Sequence, residues 1–312
     1  MLHDFDLVHG HSWFGFEYLA KINNRKLKVC HTQHGALCFK QFENDLHAFL
    51  KSGDYKPFLK DLLMRGLRAR SNLNLIAISK WMTRVYEAQG YKSRWVHNGV
   101  NLDRYEFKEK KGDRLLFVGK IDPTKQPHLS IQVAKRLNMC LDIVGATTKS
   151  IASNQSYVGE IKKMCDGKQI RLYPDASQEL KIELMQNAKC LLFTSAWGEP
   201  FGLIPIEAMA CGTPVVALND GAVEEFVQGG RIVCDALKKE ITSKAFRNQN
   251  LSPMFGTITA KCDLIDALVS AVKRVDSIPP TRCLENAKKF SKEHMAECYN
   301  ELYSRILAGE KW

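Results

Sequence analysis

At 312 residues, with 45% of them hydrophobic, the chain suits two soluble domains of ordinary size, and no apolar run approaches the roughly 20 residues of a membrane span. A formal charge of +11 favours negatively charged partners, either a phosphorylated substrate or an anionic membrane surface. It does not point to nucleic acid, because the Lys and Arg are dispersed and no nucleic-acid-binding signature occurs.

Apolar runs of strand length alternate with helical periods along the chain. Phe5–His9 predicts a strand and Trp13–Ile22 a helix, and Leu27–His31 predicts a strand leading into a Gly-containing loop. Helices are predicted over 42–52, 57–71 and Lys80–Gln89, with strands over Leu73–Ile78 and Arg94–His97. Asn98-Gly99 signals a turn, and the charged stretch Lys108–Arg114 marks a boundary, so the first domain is expected over 1–108. A second domain, 109–290, opens with strand Leu115–Gly119 and continues with helix 125–138, strand 140–144, helix 157–166, strand 170–173, helix 177–188 and strand 190–194. A helix over about 203–211 and a strand over 214–217 follow, then helices over 261–274, 281–290 and 293–308. The last of these, in the segment 291–312, is expected to pack back toward the N-terminal domain. Such alternation predicts an α/β architecture of parallel sheets covered by helices.

The richest segment is Glu199-Pro-Phe-Gly-Leu-Ile-Pro-Ile-Glu207, followed by Gly212-Thr-Pro and a short apolar strand. Gly202 lies where a loop becomes a helix and allows close backbone approach. The first helical turn leaves N–H groups that attract anions, phosphate above all. Pro205 fits that turn because its missing N–H costs little there. Glu199 precedes the helix and Glu207 lies inside it, so one carboxylate can hold a group beyond a phosphate and the other a group behind it. A nucleotide sugar has that layout of hexose, diphosphate and ribose.

This run closely resembles the signature of family 4 glycosyltransferases, retaining enzymes of the GT-B fold. The resemblance implies two Rossmann-like domains and a nucleoside-diphosphate sugar as donor. It gives Glu199 the hydroxyls of the transferred sugar and Glu207 the ribose. Backbone amides of Phe201, Gly202, Leu203 and Ile204 would meet the sugar and the distal phosphate. The likeness is strongest over Leu115–Asp235 and looser over Phe5–Asp103, where Val100-Asn101-Leu102-Asp103 matches an interdomain connection. The ending Phe290-Ser-Lys-Glu-His-Met, with Tyr299 and Tyr303, resembles the family's closing helix.

Phe117-Val-Gly119-Lys120-Ile-Asp-Pro-Thr-Lys125 reads as a strand, a Gly turn and a helix start. Lys120 and Lys125 would lie at the strand's carboxyl end, where open α/β sheets bind ligands, and would neutralise a diphosphate. The family pattern has Arg then Lys here; Lys120 keeps the charge but lacks the bidentate fork. No metal or other cofactor is expected, since the two lysines can serve a metal's electrostatic purpose. Tyr173-Pro-Asp175 falls where the family places its nucleotide-base loop, so Tyr173 and Asp175 join Gly119 as donor-side residues. Asp220-Gly-Ala-Val-Glu-Glu225 resembles a family turn beside the donor, with Glu224 in place of Pro.

His9, His11, His31 and His34 cluster in the first domain. No Asp, Glu or Cys spacing supports a zinc site there. Cys30-His-Thr-Gln-His34-Gly resembles a family loop whose His faces the sugar near its anomeric carbon. That places His34 with Glu199, Lys120 and Lys125 as the catalytic set. His11 reads equally as a cleft residue or a packing residue.

The ten Cys form no Cys-x-x-Cys pair, and Cys190, Cys211 and Cys234 read as buried thiols of a reducing compartment. Residues 1–20 carry Asp4, Asp6 and Glu17 without a basic start, unlike a signal peptide, so the expected location is the cytoplasm or the cytoplasmic face of a membrane. The resemblance also implies a Gly-Gly loop and earlier strands ahead of Phe5, which are not seen. The first domain is therefore expected to be incomplete, with about four strands and an exposed edge near Phe5–His9 that a homodimer could cover. The function implied is transfer of a hexose to an unidentified lipid, glycan or small-molecule acceptor. The alternatives are a non-catalytic nucleotide-sugar-binding protein or partner subunit, and a nucleotide-sugar epimerase, in which the Glu199–Glu207 run has no place.

Overall fold

The computed structural model describes residues 5–11, 27–34, 73–88, 91–147, 154–228, 231–233 and 261–312. The helices expected over 13–22, 42–52 and 57–71 lie outside these residues. The chain divides into two compact units, Met1–His97 with Met295–Trp312, and Asn98–His294.

The first unit holds a parallel sheet of β1 (Leu7–Gly10), β2 (Lys28–Gln33), β3 (Leu73–Ala77) and β4 (Arg94–Trp95), in that spatial order. Helix α1 (Lys80–Ala88) joins β3 to β4, and β1 stands at one edge of the sheet among the described residues. The C-terminal helix, Lys292–Leu307, presents Tyr299, Leu302 and Ile306 from one face, as a helical period dictates. These three bury against Cys30, Ile76 and Val96. A polar chain crosses the same interface. Tyr303 OH lies 2.6 Å from His9 Nδ1, His9 Nε2 lies 2.8 Å from Thr32 Oγ1, and Thr32 Oγ1 lies 2.8 Å from Tyr299 OH.

Burial, reinforced by His11, His31 and His34, lowers the His9 pKa from 6.5 to about 3. A depressed histidine contributes stability that is complete above its unfolded pKa and is lost as pH falls from there toward the folded value. Thermal stability is therefore expected to fall as pH drops from about 6.5 to 5, above the range of ordinary carboxylates. His9→Gln, which cannot titrate, should flatten that slope. Parallel profiles for His9→Gln and wild type would show that His9 is not the group responsible.

The second unit alternates strands and helices: β5 (Leu115–Val118), α2 (Pro127–Leu137), β6 (Leu141–Gly145), α3 (Gln155–Met164), β7 (Ile170–Pro174), α4 (Gln178–Asn187), β8 (Cys190–Phe193), α5 (Leu203–Ala210), β9 (Val215–Leu218), α6 (Val223–Phe226) and β10 (Arg231–Val233). The order is β10-β9-β8-β5-β6-β7, and every pair is parallel. β5, β8 and β9 are buried at every residue, as parallel strands covered on both faces must be. Asp142 in the neighbouring β6 is a buried charge, held by Arg114 through two bonds of 2.7 Å. Cys190 and Cys211 are buried thiols, each pushed up to about 12 by burial; Cys234 lies outside the described residues.

Local chemistry sets the helix ends. α2 is shorter at both ends than its apolar period suggests, because Gln126 and Asn138 each take φ 51 in the left-handed region. α3 begins early because the Asn154 side chain accepts from Tyr157 N at 3.0 Å. Ser177 caps α4 through Leu180 N at 3.2 Å. The boundary between units precedes the charged stretch 108–114. Val100 N donates to Phe290 O at 2.8 Å and Lys292 N to Val100 O at 3.0 Å, which ties residues after Asn98 into the second unit. α6 and β10 are absent from the sequence reading: α6 occupies half of what reads as a plain turn, and β10 is only three residues long.

The strand order decides where a ligand can sit. From β5 the chain runs outward through β6 to β7, then returns to β8 on the other side of β5. The loops after β5 and β8 therefore diverge at the carboxyl edge, at the topological switch point.

Candidate functional site

The switch-point loops are Gly119–Gln126 after β5 and Thr194–Gly202 after β8. They are fastened to each other. Ala196 N donates to Thr124 O at 3.0 Å, and Thr194 Oγ1 donates to Lys125 O at 2.9 Å and to Gln126 O at 3.0 Å. This fastening brings Lys125 to Glu199, a carboxylate only 5% exposed. Three donors converge on Glu199 Oε2: Lys125 Nζ at 2.6 Å, Ser195 Oγ at 2.8 Å and Trp197 Nε1 at 3.1 Å. Lys125 Nζ also reaches Ser195 Oγ at 3.1 Å and stands 4.9 Å from the centroid of the Trp197 ring. A desolvated carboxylate needs such pairing to remain charged.

The turn after β9 supports this loop from behind. Gly198 N donates to Asp220 Oδ2, and Ala222 N donates to Glu199 O at 2.8 Å. Burial raises the Asp220 pKa; the amides of residues 197–199 oppose that shift and the Glu199 charge adds to it. Gly221, at φ 66, packs directly on the Glu199 backbone.

Beyond Glu199 the chain enters α5 at Gly202, which supplies no side-chain cap. Phe201 is buried, with ring centroids 5.4 Å from Phe226 and 5.9 Å from Phe290, while Leu203 is exposed. Glu207 lies one turn further along and pairs with Lys181 Nζ of α4 at 2.8 Å. The Tyr105 phenol donates to Glu207 and accepts from Gln178 Nε2 at 3.2 Å; burial first, and then Glu207, hold its pKa far above the ordinary tyrosine value.

Of the residues expected from the sequence, the structure joins Lys125 to Glu199 and carries Phe201, Gly202, Leu203, Ile204 and Glu207 on the helix start directly after it. Gly119 leaves β5 in the same loop. Lys120 is exposed, and its side chain makes no hydrogen bond or ion pair among the described residues. Tyr173 is half-buried at the end of β7, and Asp175, at φ 51, accepts from Thr147 N at 3.3 Å and Oγ1 at 3.1 Å. His34 and His11 lie in the first unit, 3.2 Å apart with stacked rings. Burial lowers both pKa values, and His11 lowers that of His34 further. No group of three or more His, Cys, Asp or Glu is arranged for a metal ion among the described residues.

Sequence reasoning missed Ser195, Trp197, Lys181 and Tyr105. Ser195 and Trp197 stand within four residues of Glu199 in a predicted loop, which was a usable signal. Nothing local marks Lys181 or Tyr105.

A family model described as Glycosyl transferases group 1 matches residues 101–246, and one described as Glycosyltransferase Family 4 matches residues 1–104. Together the two glycosyltransferase models match residues 1–246 of the chain. The chain is 26% identical over 245 residues to D-inositol 3-phosphate glycosyltransferase of Mycobacterium leprae, a match covering 72% of this chain and 55% of that relative. The chain thus spans about half the length of the curated relatives it matches. Among solved structures, sucrose-phosphate synthase from Thermosynechococcus elongatus resembles this chain with a TM-score of 0.69 at 17% identity, over 98% of this chain and 75% of that one. Anabaena HepE in complex with UDP and glucose does so with a TM-score of 0.63 at 16% identity, over 96% and 78%. The fold is GT-B, with two parallel-sheet α/β units. No described helix is long and apolar enough to cross a membrane.

Proposed function

We propose that this protein moves a hexose from a nucleoside-diphosphate sugar to an acceptor with retention of anomeric configuration, and that its second unit holds the donor. The observation that carries the reading is the Lys125–Glu199 pair at the switch point, followed directly by a helix start that no side chain caps. An ammonium and free helical amides suit a diphosphate, and a buried carboxylate suits the hydroxyls of a sugar. Glu199 Oε1 has no donor among the described residues and is the atom available to those hydroxyls. Glu207, one helical turn on, takes the ribose.

In the transfer, the acceptor oxygen bonds to the anomeric carbon as the bond from that carbon to the diphosphate oxygen breaks. The electron pair leaves with the diphosphate, and the acceptor's proton passes to a donor phosphate oxygen. Lys125, with Lys120 at the mouth of the same loop, stabilises the charge that develops. The relatives' names support sugar transfer, and the HepE complex supports a nucleotide donor. The acceptor is a lipid, a glycan or a small molecule.

Calorimetry with UDP, GDP and ADP and their glucose and mannose conjugates, alongside hydrolysis and transfer assays, tests the reading. Glu199→Ala should weaken binding of the conjugate and spare the bare nucleotide, whereas Glu207→Ala should weaken both. Each loss should be about 1.5–3 kcal/mol, the worth of a hydrogen bond to a charged group. Equal losses on the bare nucleotide for both variants would count against the assignment. Binding without turnover would leave a donor-binding protein.

A further inference from the structure

We infer that Trp197 is a positioning residue of the donor site, setting Glu199 and Lys125 through two separate contacts. The inference rests on the donor reading above. Trp197 is 46% exposed, which alone would mean little for a surface aromatic. Its contacts are specific, however. The indole N–H donates to Glu199 Oε2 at 3.1 Å, and the ring face lies 4.9 Å from Lys125 Nζ. One side chain therefore touches both members of the ion pair, each through a different part of the indole.

The two contacts have different consequences. Glu199 can rotate its carboxylate, and a third donor on Oε2, beside Lys125 and Ser195, fixes which oxygen faces inward and which is left for a sugar hydroxyl. Losing the N–H should disturb the sugar and leave the diphosphate untouched. Lys125 is a flexible four-carbon stem ending in a strongly hydrated point charge. An aromatic face beside that charge holds it by cation–π attraction and keeps it at the loop mouth where a diphosphate would lie. Losing the ring should disturb the diphosphate as well. The backbone beside Trp197 is held, because the next residue, Gly198, donates its N–H to Asp220.

Two variants separate the contacts. Trp197→Phe keeps a ring beneath Lys125 and removes the N–H; Trp197→Leu removes both. The ligands are UDP, GDP and ADP and their glucose conjugates, measured by calorimetry. Trp197→Phe is expected to bind the conjugate about tenfold more weakly and the bare nucleotide within about twofold of wild type. Trp197→Leu is expected to lose about tenfold on both. A purely structural role would instead lower the melting temperature of both variants and affect both ligands alike.

A second measurement needs no ligand. Lys125→Met should change the tryptophan emission of the free protein, and the change should vanish when Trp197→Phe is also present. An unchanged emission spectrum would overturn the ring contact. Wild-type affinity of Trp197→Phe for the conjugate would overturn the inference alone. Failure of the wild-type protein to bind any of these ligands would overturn the donor reading and the inference with it.

Discussion

Lys125→Glu is expected to abolish donor binding. The native ammonium lies 2.6 Å from Glu199, with side-chain exposures of 21% and 6% for the two partners. Breaking so buried a pair costs roughly 3–5 kcal/mol, because the remaining carboxylate keeps its desolvation penalty without its partner. Reversal goes further, facing one carboxylate with another and presenting both to an incoming diphosphate. No heat of binding should be detected with any nucleotide sugar. Lys120→Arg gives the contrast. That side chain is exposed and unpaired among the described residues, so arginine should be tolerated there, and its bidentate fork should hold affinity level or raise it. Wild-type donor affinity in Lys125→Glu would place the site elsewhere.

Gly221→Ala is expected to be nearly as damaging, acting through the backbone of Glu199. A Cβ there would lie 2.3 Å from Glu199 O and 2.4 Å from Glu199 N, both backbone atoms that cannot rotate away. The φ of 66 adds the left-handed cost of about 1–2 kcal/mol for a residue with a side chain. Relief requires the 197–199 loop to shift, which would break the Ala222 N to Glu199 O bond and draw Glu199 away from Lys125. The expected result is a lower melting temperature together with loss of the sugar-dependent part of donor affinity. An unchanged melting temperature and an intact preference for the conjugate over the bare nucleotide would show that the turn does not support Glu199.

Much of the second unit was legible because parallel strands buried on both faces must be continuous apolar runs. Leu115–Val118, Cys190–Phe193 and Val215–Leu218 each lie within a residue or two of their expected spans. The helix start between Glu199 and Glu207 was legible for a similar reason, since glycine, an early proline and flanking carboxylates are local chemistry. Helix ends were less so. The left-handed residues Gln126 and Asn138 carry no side-chain signal as strong as glycine, so α2 read as longer than it is.

The partners of the charges belong to a different level. Lys125 meets Glu199 across 74 residues and Lys181 meets Glu207 across 26, and no periodicity connects either pair. The strand order brings β5 beside β8, and the bonds from Thr194 to the Lys125 loop complete the approach. The two lysines expected to act together illustrate the division. Their residue type and loop were evident from sequence, but only the tertiary structure draws Lys125 to a buried carboxylate and leaves Lys120 in solvent. The unit boundary follows the same rule. Composition pointed to the charged stretch at 108–114, whereas backbone bonds between Val100, Phe290 and Lys292 moved it to His97. Sequence determines the faces and lengths of elements because those depend on neighbours in the chain; which loops meet, and so which charges pair, is settled by packing between elements distant in sequence.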